Sequence, residues 1–154
     1  MNTPGAKKGK GEWKHVDGGY GFVIPYTLLR HPNMERLGPH ANKLLLDVCR
    51  QYSGFNNGYL KTCWEYMSDR GWRSKETLFI ATAELVHYCL IAKSRQGGRN
   101  RPNLYYLTWW PIHTRDDDPL DVSKFPKPCN SWKQETTVFN LPEWISNKRK
   151  TKNE

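Results

Sequence analysis

Between Gly38 and Trp109, three helical patterns are followed by two extended runs around a glycine-bearing loop, and this order constrains the fold most. The first helix is the clearest. Gly38 suits an N-cap and Pro39 the first helical position. Ala41, Leu44, Leu45, Val48, Cys49 and Tyr52 then recur at helical spacing and form one apolar stripe. His40, Asn42, Lys43, Asp47, Arg50 and Gln51 fall on the opposite face. Ser53-Gly54 ends the pattern, and Asn57-Gly58 predicts a tight turn before Tyr59-Leu60. A shorter helix is predicted over 62–70, with Trp64 and Met67 inward, and Gly71-Trp72-Arg73 breaks it. Ser74 then caps a third helix, with Glu76 in its first turn against the positive helix end. Its inward face reads Leu78, Ala81, Leu85 and Cys89. The runs 90–95 and 104–109 are rich in β-branched and aromatic residues and predict strands, joined by a hairpin loop over 96–103.

Three helices and then a two-stranded hairpin is the order of a winged helix-turn-helix. The expected fold class is therefore α+β and mostly helical, with a three-helix core and a C-terminal β-hairpin wing over 19–110. An extended lead-in over 21–25 and a brief helix over 26–30, stopped by Pro32, precede it. Residues 1–18 are rich in Gly and Lys and poor in aliphatics, so a disordered basic arm is expected. The stretch 111–142 holds Pro111, Pro119, Pro126, Pro128 and Pro142 and has no sustained periodicity. Residues 111–154 are thus expected to be an extended strap or disordered tail with a basic C-terminus, anchored locally by Trp132 and Trp144. A core of about 90 residues is thin, and seven Trp, eight Tyr and five Phe supply large rings to fill it.

The formal charge is +9, and it is concentrated. Lys7, Lys8, Lys10 and Lys14 crowd the N-terminus, and Lys148, Arg149, Lys150 and Lys152 the C-terminus. Lys93, Arg95, Arg99 and Arg101 lie within nine residues that contain no acid. Such clusters are the electrostatic footprint of a polyanion-binding surface. Cys49, Cys63, Cys89 and Cys129 have no C-x-x-C spacing, and the five His complete no zinc pattern. Neither metal nor cofactor is expected. Buried free thiols at Cys49 and Cys89 suit a reducing cytosol, so the expected location is cytoplasmic. No stretch approaches the roughly 18 apolar residues of a membrane span. Asp116-Asp117-Asp118 lies in a Pro-rich stretch without a partner motif, and reads as a solvated acidic loop rather than a Mg²⁺ site. No nucleophile, phosphate-loop or metalloprotease motif occurs, so the chain is not expected to be an enzyme.

Duplex DNA recognition needs cations for phosphates and side chains that reach base edges. Arg73, Ser74, Lys75 and Thr77 stand at the start of the third helix, the end that enters the major groove in helix-turn-helix proteins. Lys93, Arg95, Gln96, Arg99, Asn100 and Arg101 stand on or beside the wing. Gly97-Gly98 there permits positive φ and a close approach to a surface, and wing arginines can enter a narrow minor groove or clamp phosphates.

The runs Gly71-Trp72-Arg73-Ser74-Lys75-Glu76-Thr77-Leu78, Arg95-Gln96-Gly97-Gly98-Arg99-Asn100 and Leu104-Tyr105-Tyr106-Leu107-Thr108-Trp109 resemble helix-turn-helix proteins of proteobacterial phages, plasmids and prophages. Some of these are similar to replication-initiator winged helices. The resemblance spans about Phe22 to Trp110 and implies DNA binding in replication or transcription. This chain differs where such proteins tend to place a basic residue (here Ile80) and a helix-ending Gly (here Cys89). Phe79 and Ile80 leave the middle of the third helix apolar, which points also to a protein partner or a second subunit. A protein-interaction module, such as a phage inhibitor of a host complex, is therefore the alternative. Binding of RNA by the same basic face is compatible with the charge pattern as well.

Overall fold

Two short helices, α1 (Tyr26–Leu29) and α2 (Pro32–Glu35), lead into α3 (Pro39–Cys49). The strand β1 (Leu60–Lys61) follows, then α4 (Trp64–Met67), which tightens into a 3₁₀ turn, Ser68–Arg70. Next come α5 (Lys75–His87), β2 (Ile91–Arg95), β3 (Leu104–Leu107) and, after a 3₁₀ turn at Ser131–Lys133, α6 (Leu141–Thr151). The computed structural model describes residues 15–123 and 127–151, so most of the N-terminal arm lies outside the described residues. Among them the fold is α+β, with six α-helices and one three-stranded antiparallel sheet in the order β1-β3-β2. That order and topology are compatible with a winged-helix-like fold.

The apolar stripe of α3 buries as its spacing requires: Ala41, Leu44, Leu45, Val48 and Cys49 all face the core. Opposite them on α5 lie Leu78, Ala81 and Leu85, and the two helices pack together. Burial pushes the Cys49 thiol up to about 12, so it stays a neutral thiol. Asp47, assigned by spacing to the outer face of α3, is instead buried and accepts a 2.8 Å hydrogen bond from Trp72 Nε1. Lys43 Nζ reaches the same carboxylate oxygen at 2.7 Å. The turn between α4 and α5 is thereby fixed to α3, and Gly71 there takes the left-handed φ of +82°.

The end of α5 departs from the periodicity. The helix stops at His87, and Cys89, placed by spacing on the inward helical face, lies beyond it with φ +56°. The Leu90 N–H returns to Leu85 O at 3.1 Å, which closes the helix end.

The sheet has one strand more than the expected hairpin. Leu60 pairs with Tyr105 and Lys61 with Leu104, so β1 lies along β3. A bulge on β2 sets Lys93 opposite Tyr105 but Arg95 opposite Leu104. Asn57, fully buried, ties the turn before β1 to the far end of β3. Its Oδ1 accepts from Leu107 N at 2.7 Å, and its Nδ2 donates to the carbonyls of Leu107, Trp110 and Pro111.

The described residues from 111 to 123 and from 127 to 136 pack against the domain rather than forming a loose tail. Ile112 is buried, and the backbone runs back over the sheet through His113 N to Asn57 O and Asp121 N to Ser94 O, at 2.8 and 2.9 Å. Trp132 belongs to the core at 3% exposure. Asn33 holds this part in place: its Nδ2 donates to the carbonyls of Tyr88, Trp132 and Gln134, and its Oδ1 accepts from Thr136 N at 3.0 Å. Next comes α6, in a stretch expected from the sequence to be strap or tail. No described helix is long and apolar enough to cross a membrane.

Cys89 holds a left-handed conformation that glycine adopts without cost. Cys89→Gly should therefore raise stability by about 0.5–1 kcal/mol, read as a higher urea midpoint at unchanged slope.

Candidate nucleic-acid interface

The wing loop folds on itself before it meets anything else. Gly98 N donates to Arg101 O at 2.9 Å, and Gly97 N to Asn103 Oδ1 at 2.7 Å. Neither Gly97 nor Gly98 takes a positive φ, contrary to the expectation from sequence. Gly97 is required for another reason: a Cβ there would stand 2.3 Å from Arg101 O. The two arms of the loop approach too closely for any side chain.

The strap then decides which cations of the wing stay available. Arg95 Nη1 is ion-paired with Asp118 Oδ1, and the Arg95 side chain is only 11% exposed. Arg101 Nη2 reaches the same oxygen at 3.4 Å but remains largely exposed. Asp121 Oδ2 accepts from Gln96 N at 2.7 Å, and Tyr59 Oη donates to Asp118 O at 2.7 Å. Asp118 is therefore a brace and not part of a solvated loop, while Asp116 and Asp117 are exposed. Arg95, expected at the DNA contact, is thus largely buried and already ion-paired inside the protein.

Arg99, Asn100 and Arg101 line a groove of about 660 Å³, whose other wall is Lys61, Cys63, Glu65 and Tyr66. Arg99 forms no ion pair among the described residues. A second groove, of about 190 Å³, runs between α5 and β3 and is lined by Lys75, Leu78, Phe79 and Thr82 facing Asn103 and Tyr105. Cys63 borders both grooves, so the two adjoin at the start of α4. Lys75 Nζ lies 5.8 Å from the Trp64 ring centroid in the wall they share.

The remaining predicted residues take other places. Ser74 is the N-cap of α5: its Oγ accepts from Thr77 N at 3.2 Å, which leaves Thr77 half-buried behind it. Arg73 is exposed just before the cap but borders neither groove. Lys93 Nζ donates to Gln96 Oε1 at 2.7 Å, and both lie outside the grooves. Lys61, Tyr66 and Tyr105 were missed by sequence reasoning. A strand alternation at 60–62, with Leu60 and Thr62 buried and Lys61 exposed, was the available signal for Lys61. Phe79 is 46% exposed, and its ring lies 5.3 Å from that of Trp144 on α6. The apolar patch at Phe79 and Ile80 is thus partly covered by the chain's own last helix.

Compared with family models, with curated proteins and with solved structures, the chain has no match in any of the three.

Asp118→Asn should destabilise the protein by about 2 kcal/mol, between the values for exposed and buried pairs. In a double-mutant cycle in urea, Arg95→Met should remove most of that cost. Additive losses at the two positions would contradict the brace.

Proposed function

We propose that this chain is a winged helix-turn-helix protein that binds double-stranded DNA, mainly through its phosphate backbone. The observation that carries the reading is the pair of adjoining grooves lined by Lys61, Lys75 and Arg99, which no internal carboxylate pairs among the described residues, together with the largely exposed Arg101, which reaches Asp118 only at 3.4 Å; Glu65 is the one acid in their linings. Cations that no internal carboxylate holds are those that release counterions from DNA. The capped start of α5 lies beside the wing, as helix and hairpin do when they straddle a duplex. The grooves are shallow and mixed in character, with Tyr66 and Asn100 among their linings, which suits a polymer lying across them. On this reading the protein acts by binding rather than catalysis. The resemblance of its central segment points to replication or transcription in a mobile element.

The middle of α5 supports little direct base reading. Phe79 and Ile80 offer no hydrogen bonds to base edges, and the outer face they occupy meets α6. Affinity on this reading comes from phosphates and falls steeply with salt.

Lys75→Ala with Arg99→Ala should weaken duplex binding and reduce the slope of log K against log salt by about 1.8, two contacts of about 0.9 each. Anisotropy with a labelled duplex across a salt series measures this. Arg95→Ala, by contrast, should lower stability and leave the slope of the folded protein nearly unchanged. An unaltered slope in the double variant would remove the grooves from the interface.

A further inference from the structure

α6 runs antiparallel to α5 along its outer face. Phe139, just before α6, lies 5.4 Å from His87 at the end of α5, and Trp144 lies 5.3 Å from Phe79 in its middle. Lys148 Nζ sits 3.5 Å from the Phe79 centroid, and Arg149 borders one depression with Glu76 in the first turn of α5. The basic end of α6, Lys148, Arg149 and Lys150, is thereby carried to the same end of α5 as Arg73 and Lys75. That depression shares Phe79 with the α5–β3 groove.

Cations in the last turn of a helix are common, because they complement its dipole. The dipole accounts for the charges but not for where the helix is docked. Leu141, Trp144 and Ile145 form a short apolar stripe at helical spacing, none of it fully buried, and two of them meet Phe79 and Ile80. The stripe partly covers the apolar middle of α5, where Phe79 keeps 46% exposure, while the basic turn stays exposed. A helix placed here to exclude a polyanion would be served by acids. This one carries cations instead, and a polyanion attracts it.

We propose that α6 is part of the duplex-binding surface. Arg149 and Lys150 supply phosphate contacts beside the start of α5, and the docked stripe closes the middle of α5 to base edges. The partner is then duplex DNA of any sequence. This inference rests on the nucleic-acid reading above and adds to it both a third element and a lack of base discrimination.

The test uses the full chain and fluorescein-labelled duplexes of equal length and unrelated sequence. Arg149→Gln with Lys150→Gln alters two exposed side chains and should keep the fold, checked by circular dichroism. The slope of log K against log salt should fall by about 1.8, with the loss of affinity equal for every duplex. The unaltered chain should bind all the duplexes within about threefold of one another, where base-reading proteins separate specific from random sites by 10³ or more. An unchanged slope or tighter binding by the variant, while the unaltered chain binds, overturns the role of α6 and leaves the groove reading standing. Strong preference of the unaltered chain for one duplex overturns the closure of α5. Failure of the unaltered chain to bind any duplex overturns both.

Discussion

Asp118 sits between Arg95 and Arg101, and the shape of the wing follows from that contact. A β-hairpin with a long loop has little to hold it by itself. Here the strap returns across the hairpin, pairs Asp118 with Arg95 and ties Asp121 to the backbone of Gln96. Arg95 is nearly buried by the arrangement, so its carboxylate partner offsets a desolvation cost that would otherwise fall on the fold. What is left on the outside is Arg99 and, more loosely, Arg101. The ion pair thus turns a cluster of like charges into a rigid loop with a selected cationic tip.

The wall of the grooves that α5 forms is set just as firmly. Trp72 is held by Asp47 of α3, and Ser74 caps the helix that begins immediately after it. Buried carboxamides do the same on a larger scale, since each joins segments that no local pattern connects. Asn57 links the turn before β1 to the end of β3, and Asn33 links α2 to the segment that leads to α6. An amide that satisfies several backbone groups is costly to replace, because the groups it pairs are buried with it. The surface features therefore stand on a scaffold of specific polar contacts as well as on the aromatic core.

Local patterns made α1, α3, α4, α5 and the two longer strands legible, because their signals lie within a few residues of one another, whereas α2 begins at the proline expected to stop a helix and α6 lies in the expected tail. The stripe from Ala41 to Cys49 and the Ser74 cap are of this kind. β1 was not legible as a strand: two residues carry no period, and Leu60 finds Tyr105 only in three dimensions. Asp118 read as a free acid because its partner lies 23 residues away, on the far side of the loop. Of the ten site residues read from sequence, Lys75, Arg99, Asn100 and Arg101 come together at the grooves. Ser74 caps α5 and Arg95 pairs with Asp118, and neither lines the two grooves. Lys61 was missed, and the basic residues of α6 were read as a charged cluster but not placed on a helix, because position on a face depends on the pairing of β1 and the docking of α6.

On the proposed reading, a duplex meets the surface that runs from the wing tip across Cys63 to Lys75. Amide chemical shifts followed by nuclear magnetic resonance during titration with a short random-sequence duplex address it directly. The largest changes should cluster at residues 61–66, 73–79 and 97–103, and fade as salt is added. Changes centred instead on Asn33, Thr136 and the buried end of the strap, or spread without pattern over every surface lysine, would contradict it.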